Sequence, residues 1–132
     1  MPSRNVELVR ESIEAANRGD LEWLIEHAAP DVELHARGVA GEPVVYRGAA
    51  GAREYFRDMA ESWQAVEAVP EDIREVGDRV VAIVNRRLRG RGSGVDVEDK
   101  IGIVYDLRDG LALRIWAYRD VAEALADAKS DL

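Results

Sequence analysis

The chain has 132 residues and no cysteine, which excludes disulfides, thiolate metal sites and cysteine nucleophiles and leaves the redox compartment open. It also lacks any apolar run approaching the roughly 20 residues that a membrane-spanning helix needs. Its first residues, Met1-Pro2-Ser3-Arg4-Asn5, lead into a polar helix and not into an apolar secretory segment. Cytoplasm is therefore the expected compartment, and no membrane partner is expected. Histidine is scarce, at two in the chain. Neither stands in the spaced cluster of histidines and carboxylates that zinc or iron requires, so the expectation is no metal and no cofactor. Positive charge is in deficit, with 18 Lys and Arg against 26 Asp and Glu and a net charge of -8. Because a polyanion is bound by neutralising its phosphates, nucleic acid is not an expected partner. Arg86, Arg87, Arg89 and Arg91 are a local exception, but alternation splits them between two faces of a strand and its turn, the pattern of solvated strand-end charges.

What is present is an ordinary globular composition, with 47% apolar and 33% charged residues. At this length one domain, residues 1–132, can bury about two-thirds of its unfolded surface around one core. Val6, Val9, Ile13 and Ala16 lie at helical spacing and Gly19 follows as a C-cap, so the first helix spans about Asn5 to Arg18. Asp20 caps a short second helix with Leu21, Leu24, Ile25 and Ala28 on its apolar stripe, ended by Pro30. Val32, Leu34 and Ala36 alternate with Glu33 and His35 as a short strand. Gly38, Gly41 and Pro43 mark a loop before Val44-Val45-Tyr46. A third helix runs from Ala49 to about Ser62. Ala65 to Val76 is extended and broken by Pro70, which suits an edge strand or a bulge. Turns at Gly77-Asp78, Gly90 to Gly94 and Asp109-Gly110 separate three strands, Val80 to Leu88, Val95 to Leu107 and Leu111 to Tyr118. Asp120 and Glu123 have capping-box spacing for a last short helix carrying Val121, Ala124, Leu125 and Ala128, with the final residues expected to fray. Helices first and a meandering sheet afterwards define an α+β fold, a cone-shaped sheet wrapped on helices with a cavity inside.

The strand Val95 to Leu107 carries the most information. Its odd positions are Val95, Val97, Asp99, Ile101, Ile103, Tyr105 and Leu107, an apolar face interrupted by one carboxylate. Burying a carboxylate is costly unless a partner neutralises it, so Asp99 marks either an ion pair or a site. Pairing Leu107 with Leu111 across the last turn sets Ile103 opposite Ile115, Ile101 opposite Ala117 and Asp99 opposite Arg119. The preceding hairpin brings Arg86 beside Asp99 on the same face. The expected constellation is an Arg86–Asp99–Arg119 cluster at one end of an apolar concave surface of Leu34, Ala36, Val84, Leu88, Ile101, Ile103, Ile115 and Ala117, with Tyr55 reaching in from the third helix. Such a cluster either holds a substrate carboxylate or enolate, or is an ion-pair network that closes the end of the cone.

The order of elements, with Asn17-Arg18-Gly19-Asp20-Leu21, Tyr46-Arg47-Gly48, Arg108-Asp109-Gly110 and Tyr118-Arg119-Asp120 followed by Glu123-Ala124-Leu125, resembles the SnoaL-like branch of the nuclear-transport-factor-2-like superfamily over nearly the whole chain. The hairpin Arg89-Gly90-Arg91-Gly92-Ser93-Gly94-Val95 looks like one common in bacterial members. The resemblance implies the cystatin-like α+β fold and a homodimer. It leaves activity open, because the superfamily holds isomerases, polyketide cyclases, epoxide hydrolases, binders and interaction modules. Its isomerase pattern places Ser12 at the first-helix tyrosine, Ala36 at the catalytic aspartate and Ile103 at the second acid. Its epoxide-hydrolase pattern places Val84 and Arg86 at an arginine and an aspartate, and Ala117 at the last aspartate. Both catalytic sets are thus missing.

Asp99, Tyr55 and His35 remain as candidate catalytic groups. Two flanking arginines would hold Asp99 ionised and weakly basic. His35 points away from Leu34 and Ala36, toward the outer side, and His27 near the end of the second helix is assigned no chemistry. Ser12 and Ser93 lack a neighbouring base. Trp116 and Tyr118, with Val81, Ile83 and Val104, form an apolar outer sheet face expected to pair with a second copy; Trp23 and Trp63 read as helix-to-sheet core. Three functions follow: a binder of a small hydrophobic or weakly anionic molecule, an isomerase or cyclase using Asp99, Tyr55 or His35, and a dimerisation module whose core is filled by its own side chains.

Overall fold

The computed structural model describes residues 3–37, 41–92 and 94–129. Gly38, Ser93 and the last three residues therefore lie outside the described residues. The elements are α1 (Arg4–Asn17), α2 (Leu21–Glu26), β1 (Ala28–Arg37), β2 (Pro43–Arg47), α3 (Gly48–Ser62), β3 (Trp63–Val76), β4 (Arg79–Gly90), β5 (Asp96–Arg108), β6 (Leu111–Tyr118) and α4 (Val121–Ala128). The strands form one curved six-stranded sheet in the order β2-β1-β6-β5-β4-β3. All neighbours are antiparallel except β1 and β6. The fold is α+β and cystatin-like, as the order of elements implies.

Local signals account for the helix ends. Ser3 accepts the Val6 N–H at 3.1 Å to start α1, Asp20 accepts the Trp23 N–H at 3.1 Å to start α2, and Asp120 accepts the Ala122 N–H at 2.9 Å to start α4. The end of α1 is tied to the outermost strand. The Asn17 amide donates to the Ala68 carbonyl at 2.8 Å and accepts from the Ala68 N–H at 2.9 Å, so one side chain satisfies both polar groups of an edge residue of β3. Near Pro70 the strand bulges, between Pro70 and Asp72, as expected of proline in an edge strand. The passage from α2 to β1 differs from expectation: α2 ends at Glu26, so Ala28 and Pro30 belong to the strand and not to the helix, β1 begins at Ala28 and not at Val32, and its pairing to β6 shifts between Ala28 and Glu33. Alternation was lost over this irregular stretch, which hid it from a period-two reading.

The sheet has two covered faces. On the inner one, Val9 and Ile13 of α1 pack against Val80, Ala82, Val84, Ile101 and Tyr105. On the outer one, Ala124 and Ala128 of α4 pack against Val81 and Val104, with Trp116 and Tyr118 at the margin. The outer face expected to be exposed is therefore closed by the chain's own last helix: Val81 and Val104 are fully buried and Ile83 is 8% exposed. An amphipathic helix directly after β6 covers the apolar surface nearest to it. The close approach depends on Gly102, where a Cβ would stand 2.5 Å from the Ala124 Cβ. Arg79 adds a latch by donating to the carbonyls of Asp127 and Ala128, both at 3.4 Å.

Substituting Gly102→Ala is expected to push α4 off the sheet and to cost about 1–3 kcal/mol in urea denaturation. The double variant Gly102→Ala/Ala124→Gly should lose less than the sum of the two single changes. An additive pair would show that the contact is not the one limiting helix docking.

Candidate functional site

The inner face is solid under α1 and hollow beyond it. A cavity of about 330 Å³ lies between α1, α2, α3 and the β1, β5 and β6 part of the sheet, at the small end of the roughly 300–1,000 Å³ typical of ligand sites. Its wall is apolar: Leu8 and Val9 from α1, Trp23, Leu24 and Ile25 from α2, Ala52, Tyr55 and Phe56 from α3, and Tyr105, Leu107, Ala112 and Ile115 from the last hairpin. The irregular start of β1 contributes Ala28, Ala29, Pro30 and Val32. Among the described residues no carboxylate, lysine or arginine lines it.

Polar groups in the wall are few. The Tyr46 hydroxyl donates to Asp58 at 3.0 Å; burial, reinforced by that bond, pushes its pKa up to about 12. Burial likewise raises Tyr55, against a smaller opposing effect of the nearby Arg86, and raises Tyr105. These phenols stay protonated at neutral pH. His27 is stacked on Trp23, ring centroids 3.8 Å apart, and its Nδ1 is 2.8 Å from the Trp23 carbonyl oxygen. Ser12 completes the set.

The expected site residues fall into four places. Leu34, Tyr55 and Ile115 line the cavity. Val84, Ile101 and Ile103 belong to the solid core beside it. Arg86 and Asp99 are directly opposed on β4 and β5 and form a two-pronged pair, Nε to Oδ1 at 2.9 Å and Nη2 to Oδ2 at 2.6 Å, beside a separate groove. Ala36, Ala117 and Arg119 border a different depression, shared with His35 and Trp116.

Arg119 does not join Asp99. The last turn is a two-residue one: Asp109 and Gly110 both have positive φ, at 53° and 79°, and Arg108 faces Leu111. A shift between Asp106 and Leu107 then makes Leu113 the extra residue of a bulge, so that Tyr105 faces Ile115 and Ile103 faces Ala117. Beyond the bulge the hairpin is displaced by two residues from the expected pairing, which keeps Ile115, Ala117 and their neighbours on their expected faces but moves Arg119 away from Asp99; before it the shift is one residue, so Ala112 and not Leu111 faces inward with Leu107. Arg119 is exposed. The remaining Arg86–Asp99 pair has side chains 23% and 35% exposed, in reach of solvent that weakens such pairs.

His35 stands on the outer face, stacked on Trp116 at 5.6 Å between centroids. Its Nε2 donates to Glu33 at 2.9 Å, and Arg47 donates to the other oxygen of the same carboxylate at 2.5 Å. These two bonds, His35 first, hold the Glu33 carboxyl below its ordinary range. The outer face of β1 is thus an ion cluster remote from the cavity. Sequence reasoning missed Tyr105 and His27 as cavity residues. Tyr105 stands in the apolar row of β5, and its period was the available signal; His27 caps α2, where no period applies.

With this geometry in view, the comparisons place the chain. A family model described as SnoaL-like domain matches residues 9–118, and the chain belongs to that family. An NTF2-like protein of unknown function from Burkholderia pseudomallei K96243 is similar at 25% identity, covering 98% of this chain and 100% of that one, with a TM-score of 0.80. TerC, crystallised with polyporic acid, is similar at 25% identity, 97% and 100% coverage and a TM-score of 0.79. IdmH of Streptomyces antibioticus, a candidate polyketide cyclase, is similar at 25% identity, 94% and 97% coverage and a TM-score of 0.72. No curated protein sequence matches significantly.

The pH dependence follows from Glu33. Its folded pKa lies below the unfolded one, so its ionisation favours the fold above the unfolded pKa, and that contribution is lost as pH falls through the folded pKa. Glu33→Gln is expected to flatten the acid limb of a stability curve measured between about pH 3 and pH 7. An unchanged acid limb would mean that another carboxylate governs it.

Proposed function

We propose that this protein binds a small, largely apolar, uncharged molecule in the cavity between α1, α2, α3 and the last hairpin. The observation that carries the reading is an apolar hollow of about 330 Å³ whose described wall holds hydroxyls and one imidazole but no carboxylate, lysine or arginine. Small residues, Ala28, Ala29, Ala49, Ala52 and Ala112, line much of it. Larger side chains at those positions would have filled the space, so a core packed on itself is the less favoured reading. Acid–base chemistry on carboxylates has no group in the described wall to run it. Asp99 is bound to Arg86 and lies off the cavity, and Tyr55, although in the wall, is a phenol that burial keeps protonated. The similarity to IdmH makes ring-bearing organic molecules the class to try first.

Native mass spectrometry of the protein exposed to a small-molecule extract is expected to show a retained species of a few hundred daltons, the size that such a cavity admits. Ala52→Trp should fill the hollow and lower affinity for that species by at least about tenfold, a loss of about 1.4 kcal/mol or more, with the circular dichroism spectrum kept. Retained affinity in Ala52→Trp would refute the assignment. Asp99→Asn is expected to leave affinity within about twofold, as for a distant and independent position; turnover abolished in that variant would instead favour an enzyme working through Asp99.

A further inference from the structure

His27 is the one imidazole in the described cavity wall. Its Nδ1 lies 2.8 Å from the Trp23 carbonyl oxygen. A carbonyl only accepts, so Nδ1 carries the hydrogen, and in the neutral ring Nε2 keeps its lone pair. Two further contacts hold the ring in place. It lies on the Trp23 indole at 3.8 Å with 15° between planes, and the His27 carbonyl receives the Ala112 N–H of β6 at 2.9 Å. Among the described residues Nε2 has no hydrogen-bond partner, and neither do the hydroxyls of Ser12, Tyr55 and Tyr105 in the same wall. Among the described residues no unpartnered side-chain N or O atom is sealed from solvent, so these groups stay open to the hydrogen-bonding groups of a ligand.

We infer that His27 is a ligand-binding residue that selects molecules with an acidic hydroxyl, a phenol or the enol form of a ketone, by accepting its O–H at Nε2. This rests on the cavity-binding reading and adds the chemical class of the occupant. The surrounding hydroxyls supply donors for a second oxygen, so a hydroxyl and a carbonyl on one ring system suit the wall better than either alone. A ketone or an ether of the same shape offers Nε2 no hydrogen and leaves the lone pair unpaired. The wall therefore discriminates an enol from its keto form, with no charge required on either partner.

The test uses the full chain and two probes of similar shape, 2-naphthol and 2-methoxynaphthalene, titrated calorimetrically. The wild type is expected to prefer 2-naphthol by about five- to tenfold, the worth of one hydrogen bond, although the ether is the more apolar. His27→Phe keeps an aromatic ring against Trp23 and should bring the ratio to about one. On the unmodified protein, nitrogen NMR should show the His27 Nε2 resonance moving with 2-naphthol and not with the ether, a readout that stands if the variant does not fold. Equal affinities in the wild type, or an unmoved Nε2 resonance on naphthol binding, overturn the role of His27 and leave the cavity reading intact. Binding of neither probe overturns both.

Discussion

The pairing of β5 with β6 is the constraint on which the cavity and both covered faces depend. Two positive-φ residues, Asp109 and Gly110, close the hairpin tightly, and the extra residue Leu113 then advances β6 by one place against β5. Together they bring Leu107 level with Ala112 and Tyr105 level with Ile115, four cavity residues in two facing pairs. Because the side-chain period of a strand is two, a further one-residue slip of β6 would turn Ala112 and Ile115 toward α4 and bring Trp116 and Tyr118 inside. The parallel strand β1 hangs on the same edge, with Leu34 level with Ile115 and His35 level with Trp116. One turn and one bulge thus decide which residues can meet a ligand.

The hollow is maintained by what flanks it. Beneath α1 the inner face is filled by Val9 and Ile13 against the sheet. Toward β1 the regular pairing lapses between Ala28 and Glu33, and the displaced segment brings alanines and Pro30 to the wall where longer side chains would close it. On the far side α3 sits tightly over β2: a Cβ at Gly51 would lie 2.7 Å from the Tyr46 backbone. The helix is therefore held at a fixed distance from the strand edge, and it places Tyr55 against Tyr46, ring centroids 5.4 Å apart in an edge-on contact. Rigid supports around an apolar space keep it open better than a loose lid could.

Much of this was legible in the sequence because it is periodic. Alternation along β4 and β5 put Arg86, Asp99, Ile101 and Tyr105 on one side, and the structure joins Arg86 to Asp99 as direct neighbours. The Asp-Gly pair announced the last turn. What alternation could not supply was position along the strand. The choice of loop length and the bulge each moved β6 by one residue in the same sense, so the faces survived and the Arg119 contact did not. The outer face was misjudged for a different reason: α4 was recognised by its cap and its stripe, but a helix read alone does not say what it covers. Gly102, the residue that lets it settle, looks in sequence like any weak strand position. The start of β1 and the capping residue His27 lie where neither period holds, and these are the parts of the cavity wall that needed coordinates.

The distribution of charge limits what the cavity can do. Ion pairs among the described residues, such as Glu33 with Arg47, Arg86 with Asp99 and Asp106 with Arg114, involve no residue of the cavity wall. Inside, burial raises the phenols of Tyr55 and Tyr105, so they act as neutral donors throughout the physiological range. An anion entering such a wall would leave its hydration shell without meeting a fixed positive charge, which is unfavourable. A neutral molecule loses little, and its affinity then comes from apolar contact, with a few hydrogen bonds setting orientation. Selectivity within that class must arise from the geometry of donors and acceptors, and the imidazole of His27 is the one acceptor in the described wall whose lone pair the backbone itself has oriented.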